Sequence, residues 1–176
     1  TTLPTYHVSG EAPEGAPAYE EKTYVEGATV TVEDIPYVEG YEFIGWVSTD
    51  ADITNKEFEI YNDVVIIGRW CKLYNVEYKY TGDIPENAPQ YDKKIYKEGE
   101  IVAVEETPEV KGYTFGGWTS EDVDITSGEF EINKDVVIVG NWTKINYYDV
   151  TYKFEGEVPA GITAPDSKTY EEGKNV

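Results

Sequence analysis

Apolar and polar positions alternate in twos along most of the chain. Val76, Tyr78 and Tyr80 alternate with Glu77 and Lys79, Val30 and Val32 with Thr29 and Thr31, and Phe58 and Ile60 with Glu57 and Glu59. Successive side chains of an extended backbone point to opposite faces, so this period predicts strands with one buried face and one wet face. Two runs depart from it: DVVIIGRW from Asp63 to Trp70 and DVVIVGNW from Asp135 to Trp142. Both are β-branched and nearly continuous, as a central strand covered on both faces should be. Gly and Pro punctuate the gaps, in GEAPEGAP, IPYVEG and KGY, where turns need a preset or positive φ. No segment carries a capped i, i+3, i+4, i+7 stripe; STDADITNKEF (Ser48 to Phe58) and its copy have room for one helical turn at most. The expected class is mainly β, built of small antiparallel or mixed domains of about five strands each.

The pattern also repeats on a longer scale. Sliding the chain by about 72 residues lays Gly10 to Lys72 on Gly82 to Lys144 without a gap, and roughly 36 of 63 positions are identical. The expected organisation is repeat 1 over residues 1–73, repeat 2 over 74–147, and a truncated repeat 3 over 148–176 that holds only the first two strands. A piece that short is well below the size of a self-sufficient core and is expected to lean on repeat 2.

The two junctions are the first functional clue. WCKLYNV joins repeats 1 and 2, and WTKINYYDV joins repeats 2 and 3; neither contains Gly, Pro or Ser. Each carries an aliphatic residue followed by tyrosine, so neighbours are expected to touch through Lys72, Leu73, Tyr74 and Asn75 at one seam, with Leu73 and Tyr74 buried. The other seam is expected to use Lys144, Ile145, Asn146, Tyr147 and Tyr148, with Ile145 and Tyr147 or Tyr148 buried. A compact unit of this size spans at least about 30 Å, so copying it lengthens an array in proportion to copy number.

Charge narrows the partners. The chain has 176 residues, a net charge of −21, 14% aromatic and 40% hydrophobic residues. That apolar content supports packed cores, and the acid excess must then lie on surfaces. Such a surface repels phosphate backbones and anionic lipid, so neither nucleic acid nor membrane insertion is expected of this stretch. Cys71 is the single cysteine, and its counterpart is Thr143, so neither copy depends on a thiol.

Candidate chemistry is thin. Asp50 and Asp52, with copies Asp122 and Asp124, lack the spacing and the downstream glutamate of a calcium loop and read as solvated loops. With 35 acids, any two could be nominated for paired-carboxylate hydrolysis, so that reading has no weight. His7 is the lone histidine, sits on an alternating strand and is replaced by Lys79, which reads as an exposed strand residue. Lys22, Lys94 and Lys168 recur in register without a recurring Asn, which leaves a Lys-to-Asn isopeptide staple with half its chemistry. No catalytic residue, metal site or cofactor is expected, and the chain reads as no enzyme. The aromatics Tyr41, Phe43, Trp46 and Trp70, with copies Tyr113, Phe115, Trp118 and Trp142, read as a repeated packing core. Tyr37, Tyr61, Tyr147 and Tyr148, absent from the other copies, are the expected exposed tyrosines.

The segments GYTFGGW, EFEINKDVVIVGNW and YKYTGDIPENAP resemble the SHIRT-type tandem repeats of Gram-positive surface adhesins. More distantly they resemble the Listeria-Bacteroides class that includes the internalin B-repeats. The resemblance runs through Gly40, Tyr41, Phe43, Gly45, Trp46, Gly68 and Trp70, and through Gly112, Tyr113, Phe115, Gly117, Trp118, Gly140 and Trp142. It implies a cell-wall-anchored or secreted protein whose repeats form a stalk under an adhesive domain, and a small β-rich fold, with a β-grasp-like α+β fold as the alternative. Junction, composition and resemblance together lead to one expectation: a semi-rigid extracellular spacer whose partners are neighbouring repeats, with host glycan or protein met through other domains. A second reading stays open, in which each repeat binds a glycan or host protein through an exposed patch such as Tyr61 or Tyr148.

Overall fold

The computed structural model of the protein describes residues 4–9, as backbone, and residues 12–175. Among the described residues twelve strands follow in order: β1 (Pro4–Ser9), β2 (Ala28–Thr31), β3 (Tyr41–Val47), β4 (Glu57–Ile60), β5 (Val64–Gly82), β6 (Lys94–Lys97), β7 (Ile101–Ala103), β8 (Tyr113–Thr119), β9 (Glu129–Glu131), β10 (Val136–Lys144), β11 (Tyr147–Val150) and β12 (Lys168–Glu171). Among the described residues there is no helix, so the class is mainly β and the α+β alternative falls. His7 lies in β1, and its side chain is outside the described residues.

The chain forms two compact units. The first comprises residues 1–76, 94–102 and 130–136, and the second residues 77–93, 103–129 and 137–176. In the first unit β5 is the hub: β1 pairs with it in parallel, and β3 and β6 pair with it antiparallel. A separate two-stranded antiparallel sheet of β2 and β4 sets Val30 opposite Phe58 and Ala28 opposite Ile60. Val30, Val32, Phe58, Ile60, Val64 and Ile66 close into the core, with Tyr24, Trp46 and Ile53 against its margin. The alternating positions named from the sequence are the ones that meet there, because the period-2 pattern gives each strand a single apolar face. In the second unit β10 pairs antiparallel with β8, and β11 with β12.

The DVVI runs are covered unevenly. Val64, Ile66 and Gly68 are fully buried while Val65 and Ile67 are half-buried, so one face is sealed and the other only partly screened. Among the described residues no polar or charged residue is buried, which puts the acid excess on the surface.

Candidate functional site

The aromatic motif is built on a bulge. In a regular strand Phe43 and Trp46, three residues apart, would point to opposite faces. The pairing of β3 with β5 slips between Phe43 and Gly45: Phe43 faces Trp70, Gly45 faces Arg69 and Trp46 faces Gly68. One extra residue thereby returns both rings to one face, where their centroids lie 4.9 Å apart, edge to face. Gly45, at φ 143°, takes the backbone turn that the bulge demands. The second copy repeats the device, with Phe115 opposite Trp142, Trp118 opposite Gly140, and 4.9 Å between the Phe115 and Trp118 rings. Trp142 is fully buried; Tyr41, Phe43, Trp46, Trp70, Tyr113, Phe115 and Trp118 are half-buried.

Tyrosines outside the repeated motif complete these clusters. Tyr19 stands edge-on to Trp46 at 5.3 Å, and Tyr91, its copy, edge-on to Trp118 at 5.6 Å. Tyr80 stacks on Trp118 at 5.5 Å, and burial, followed by its neighbour Tyr91, pushes its phenol up to about 12. The 72-residue offset itself relates Tyr19 to Tyr91, so the repeat carried the signal.

The acidic loops are internal fasteners, not helical turns. Asp50 Oδ2 accepts the Val65 N–H at 2.9 Å while Ser48 Oγ donates to the Val65 carbonyl at 2.7 Å, so two side chains occupy the place of a missing strand edge. Asp122 and Ser120 do the same to Val137, at 2.8 Å each. Asp52 and Asp124 each accept the N–H and hydroxyl of a threonine two residues on, Thr54 and Thr126, and this local turn displaces the helical turn for which the segment had room. Those bonds hold both carboxyls below the usual carboxylate range; the Thr54 hydroxyl is the larger cause at Asp52 and the Thr126 N–H at Asp124.

A folded-state pKa below the unfolded value adds stability that is present above the unfolded pKa, about 4, and lost as pH falls through the folded one. The double variant Thr54→Val, Thr126→Val is therefore expected to have a shallower loss of thermal stability between about pH 4 and pH 2 than the parent. Identical acid profiles would remove these turns from the account.

The seam residues form a repeated arrangement. Inside the first unit the Leu73 N–H donates to Gly40 O at 2.9 Å, and the Glu98 N–H donates to Lys72 O at 2.9 Å. Leu73, Tyr74 and Asn75 pair with Lys97, Tyr96 and Ile95 of β6. The Tyr74 hydroxyl donates to Glu98 at 3.4 Å, Lys97 pairs with Glu42 at 2.8 Å, and Asp135 accepts the Asn75 N–H at 2.8 Å. Residues from both sides of the repeat boundary are thus tied into one compact body.

The second seam, inside the second unit, follows the same scheme. The Ile145 N–H donates to Gly112 O at 2.9 Å, the Glu172 N–H to Asn146 O at 2.8 Å, and the Tyr148 hydroxyl to Glu172 at 3.4 Å, with Tyr148 opposite Tyr170. Two extra residues separate β10 from β11 here, whereas β5 runs through the first seam unbroken. Leu73, Tyr74, Asn75 and Ile145 are half-buried, and Lys72, Lys144 and Asn146 exposed. Tyr147 and Tyr148 are 54% and 57% exposed, as expected of tyrosines that the other copies lack and against the burial expected of one of them at the seam; β11 pairs with β12 in a two-stranded sheet. Tyr37 and Tyr61 are exposed as expected. Sequence reading missed Gly40, Glu42, Lys97, Glu98 and Asp135 at the seam. The recurrence of Glu98 as Glu172 would have flagged one of them.

Residues 74–143 match the Listeria-Bacteroides repeat domain family, and residues 6–70 match the divergent InlB B-repeat domain family. A protein of Evansella cellulosilytica described as a membrane protein is 27% identical over 157 residues. That match takes in 84% of this chain but 22% of the relative, so the chain spans about a fifth of the protein it resembles. Among the described residues no helix is long and apolar enough to cross a membrane. Domains 3–4 of Streptococcal High Identity Repeats in Tandem (SHIRT) from a cell surface protein are similar over 81% of this chain and 97% of theirs. The identity is 16% and the TM-score 0.28.

Proposed function

From two full repeats that match the Listeria-Bacteroides and divergent InlB B-repeat domain families, we propose that the chain is a spacer segment of a bacterial surface protein. In this reading the repeats form a semi-rigid array outside the cell that carries a distal binding domain away from the wall. The observation that most supports it is the seam: the chain leaving one repeat is hydrogen-bonded backward to that repeat's Gly-Tyr turn and forward to the next repeat's second strand, twice over. A joint bonded on both sides resists swivelling, because bending it requires breaking backbone hydrogen bonds that water replaces only in part. The acidic surface adds to this, since like-charged arrays resist lateral association. The partners of such a segment are neighbouring repeats, and any host ligand belongs to other domains.

Small-angle scattering of this chain, and of a version with one more copy of residues 74–143, tests the reading. Each added copy should extend the maximum dimension by at least about 30 Å. A compact profile, or a dimension that grows only as a flexible chain would, removes the spacer.

A further inference from the structure

We propose that each repeat is also a tension clamp, so that the array bears a pulling load as well as supplying length. In repeat 1 the strand by which the chain enters, β1, lies parallel beside the strand by which it leaves, β5, with six residues in register from Pro4 opposite Val64 to Ser9 opposite Arg69. A pull along the chain drags the N-terminal end of β1 one way and the far end of β5 the other. In a parallel pair those ends lie at opposite ends of the ladder, so the evenly spaced inter-strand bonds are loaded together in shear. Two antiparallel strands pulled from adjacent ends open one bond at a time instead.

Repeat 2 has the same arrangement within the second unit, where residues 77–82 of β5 lie beside β10. Asn141 Nδ2 donates to Thr81 Oγ1 at 3.0 Å, the Asp83 N–H donates to Trp142 O at 2.8 Å, and the Lys144 N–H donates to Asp83 Oδ2 at 3.0 Å. The partners advance together along both strands, which therefore run in the same direction. The approach is close enough that a Cβ on Gly82 would stand 2.1 Å from Trp142 O, which is why the strand ends on glycine.

β5 belongs to both clamps, through residues 64–69 in the first and 77–82 in the second. Load crossing from β1 passes along one unbroken strand into the next clamp, with no loop in the path to pay out. A spacer needs only length, so this property can fail while the spacer stands, and it can hold in a protein that is no spacer.

Single-molecule force spectroscopy on the intact chain tests it through pulling direction. In one arrangement the chain is held by its two ends. In the other, a Cys71→Ser chain is held through Glu39→Cys and Lys72→Cys, which peels β3 from β5 at the adjacent ends marked by Tyr41 opposite Lys72. Forced unfolding reads the barrier along the pulled direction, so end-to-end rupture should need about twofold or more the peeling force at one loading rate. Equal or weaker end-to-end rupture overturns the clamp. Asp83→Ala, which removes the acceptor of the Lys144 N–H, should weaken one of the end-to-end unfolding events and spare the other. If it changes neither, the assignment in repeat 2 is wrong.

Discussion

Replacing Gly140 by alanine is expected to destabilise the second unit by about 3 kcal/mol, at the upper end of what one extra methyl costs in a packed interior. A Cβ at this position would lie 2.4 and 2.5 Å from the Phe115 ring and 2.7 Å from Trp118, where carbon atoms prefer about 3.5–4.0 Å. The rings cannot retreat cheaply. Phe115 is held at 4.7 Å from Trp142 and 4.9 Å from Trp118, and Tyr80 stacks on Trp118 at 5.5 Å. Gly68, the counterpart, would meet Trp46 at 2.7 Å and Phe43 at 2.9 Å within a sparser set of rings, so Gly68→Ala should cost less. Gly116 supplies the control. Its Cβ would be 3.5 Å from Asn141 O, ordinary contact, and alanine there should fall within about 0.5 kcal/mol of the parent. Denaturant midpoints of the three variants decide the matter, and a Gly140→Ala variant as stable as Gly116→Ala would mean that the rings are not seated on that glycine.

The second large effect is expected at the first seam. Leu73→Pro deletes the N–H that bonds Gly40 O, leaves that carbonyl without its donor and places a pyrrolidine ring inside β5, a loss of about 1–3 kcal/mol. Its consequence for the spacer is directional. With Cys71→Ser as background and spin labels at Asn62→Cys and Glu121→Cys, the distance distribution between repeats should be narrow in the parent and broad in Leu73→Pro. Ile145→Pro removes the equivalent bond to Gly112 O at the other seam and should leave that distribution as it was. Broad distributions in the parent would mean that these backbone bonds do not stiffen the junction, and the spacer reading would lose its main support.

Much of the fold was legible because its signals are local. Period-2 alternation located Val30, Val32, Phe58 and Ile60, and all four are core residues. The 72-residue offset marked the aromatic motif, and the two copies do share one geometry down to the slip in strand pairing. The acidic pairs read as loops, and they are loops, yet the reason was out of reach. Asp50 and Ser48 hold the backbone of Val65, fifteen and seventeen residues away, and no spacing rule links a carboxylate to one N–H on a distant strand. The turn that Asp52 closes with Thr54 is local, and there the expectation of room for a helix underweighted a side chain that competes with helical hydrogen bonding.

Tyr147 and Tyr148 teach the opposite lesson at the junction, where one of them is expected buried and both are exposed, as their absence from the other copies suggests. An apolar junction residue is buried only if some element lies over it, and composition cannot say whether one does. Tyr74, at the matching place, is half-buried beside β6 within the larger first unit, while Tyr148 lies opposite Tyr170 in a two-stranded sheet and is exposed.

By itself the amino-acid order determined the strand period, the duplicated motif, the stiff composition of the junctions and the surface location of the acids, because each depends on near neighbours or on one repeating offset. Only the tertiary structure decided that β1 runs parallel to β5, that a bulge brings Phe43 and Trp46 to one face, and that β6 of one repeat closes on the seam of the other. Strand direction and partner choice are settled by contacts between residues far apart in the chain, whose backbone N–H and C=O groups are chemically identical at every position. Side-chain order can say that a strand exists; which edge it pairs with is decided when the apolar faces meet.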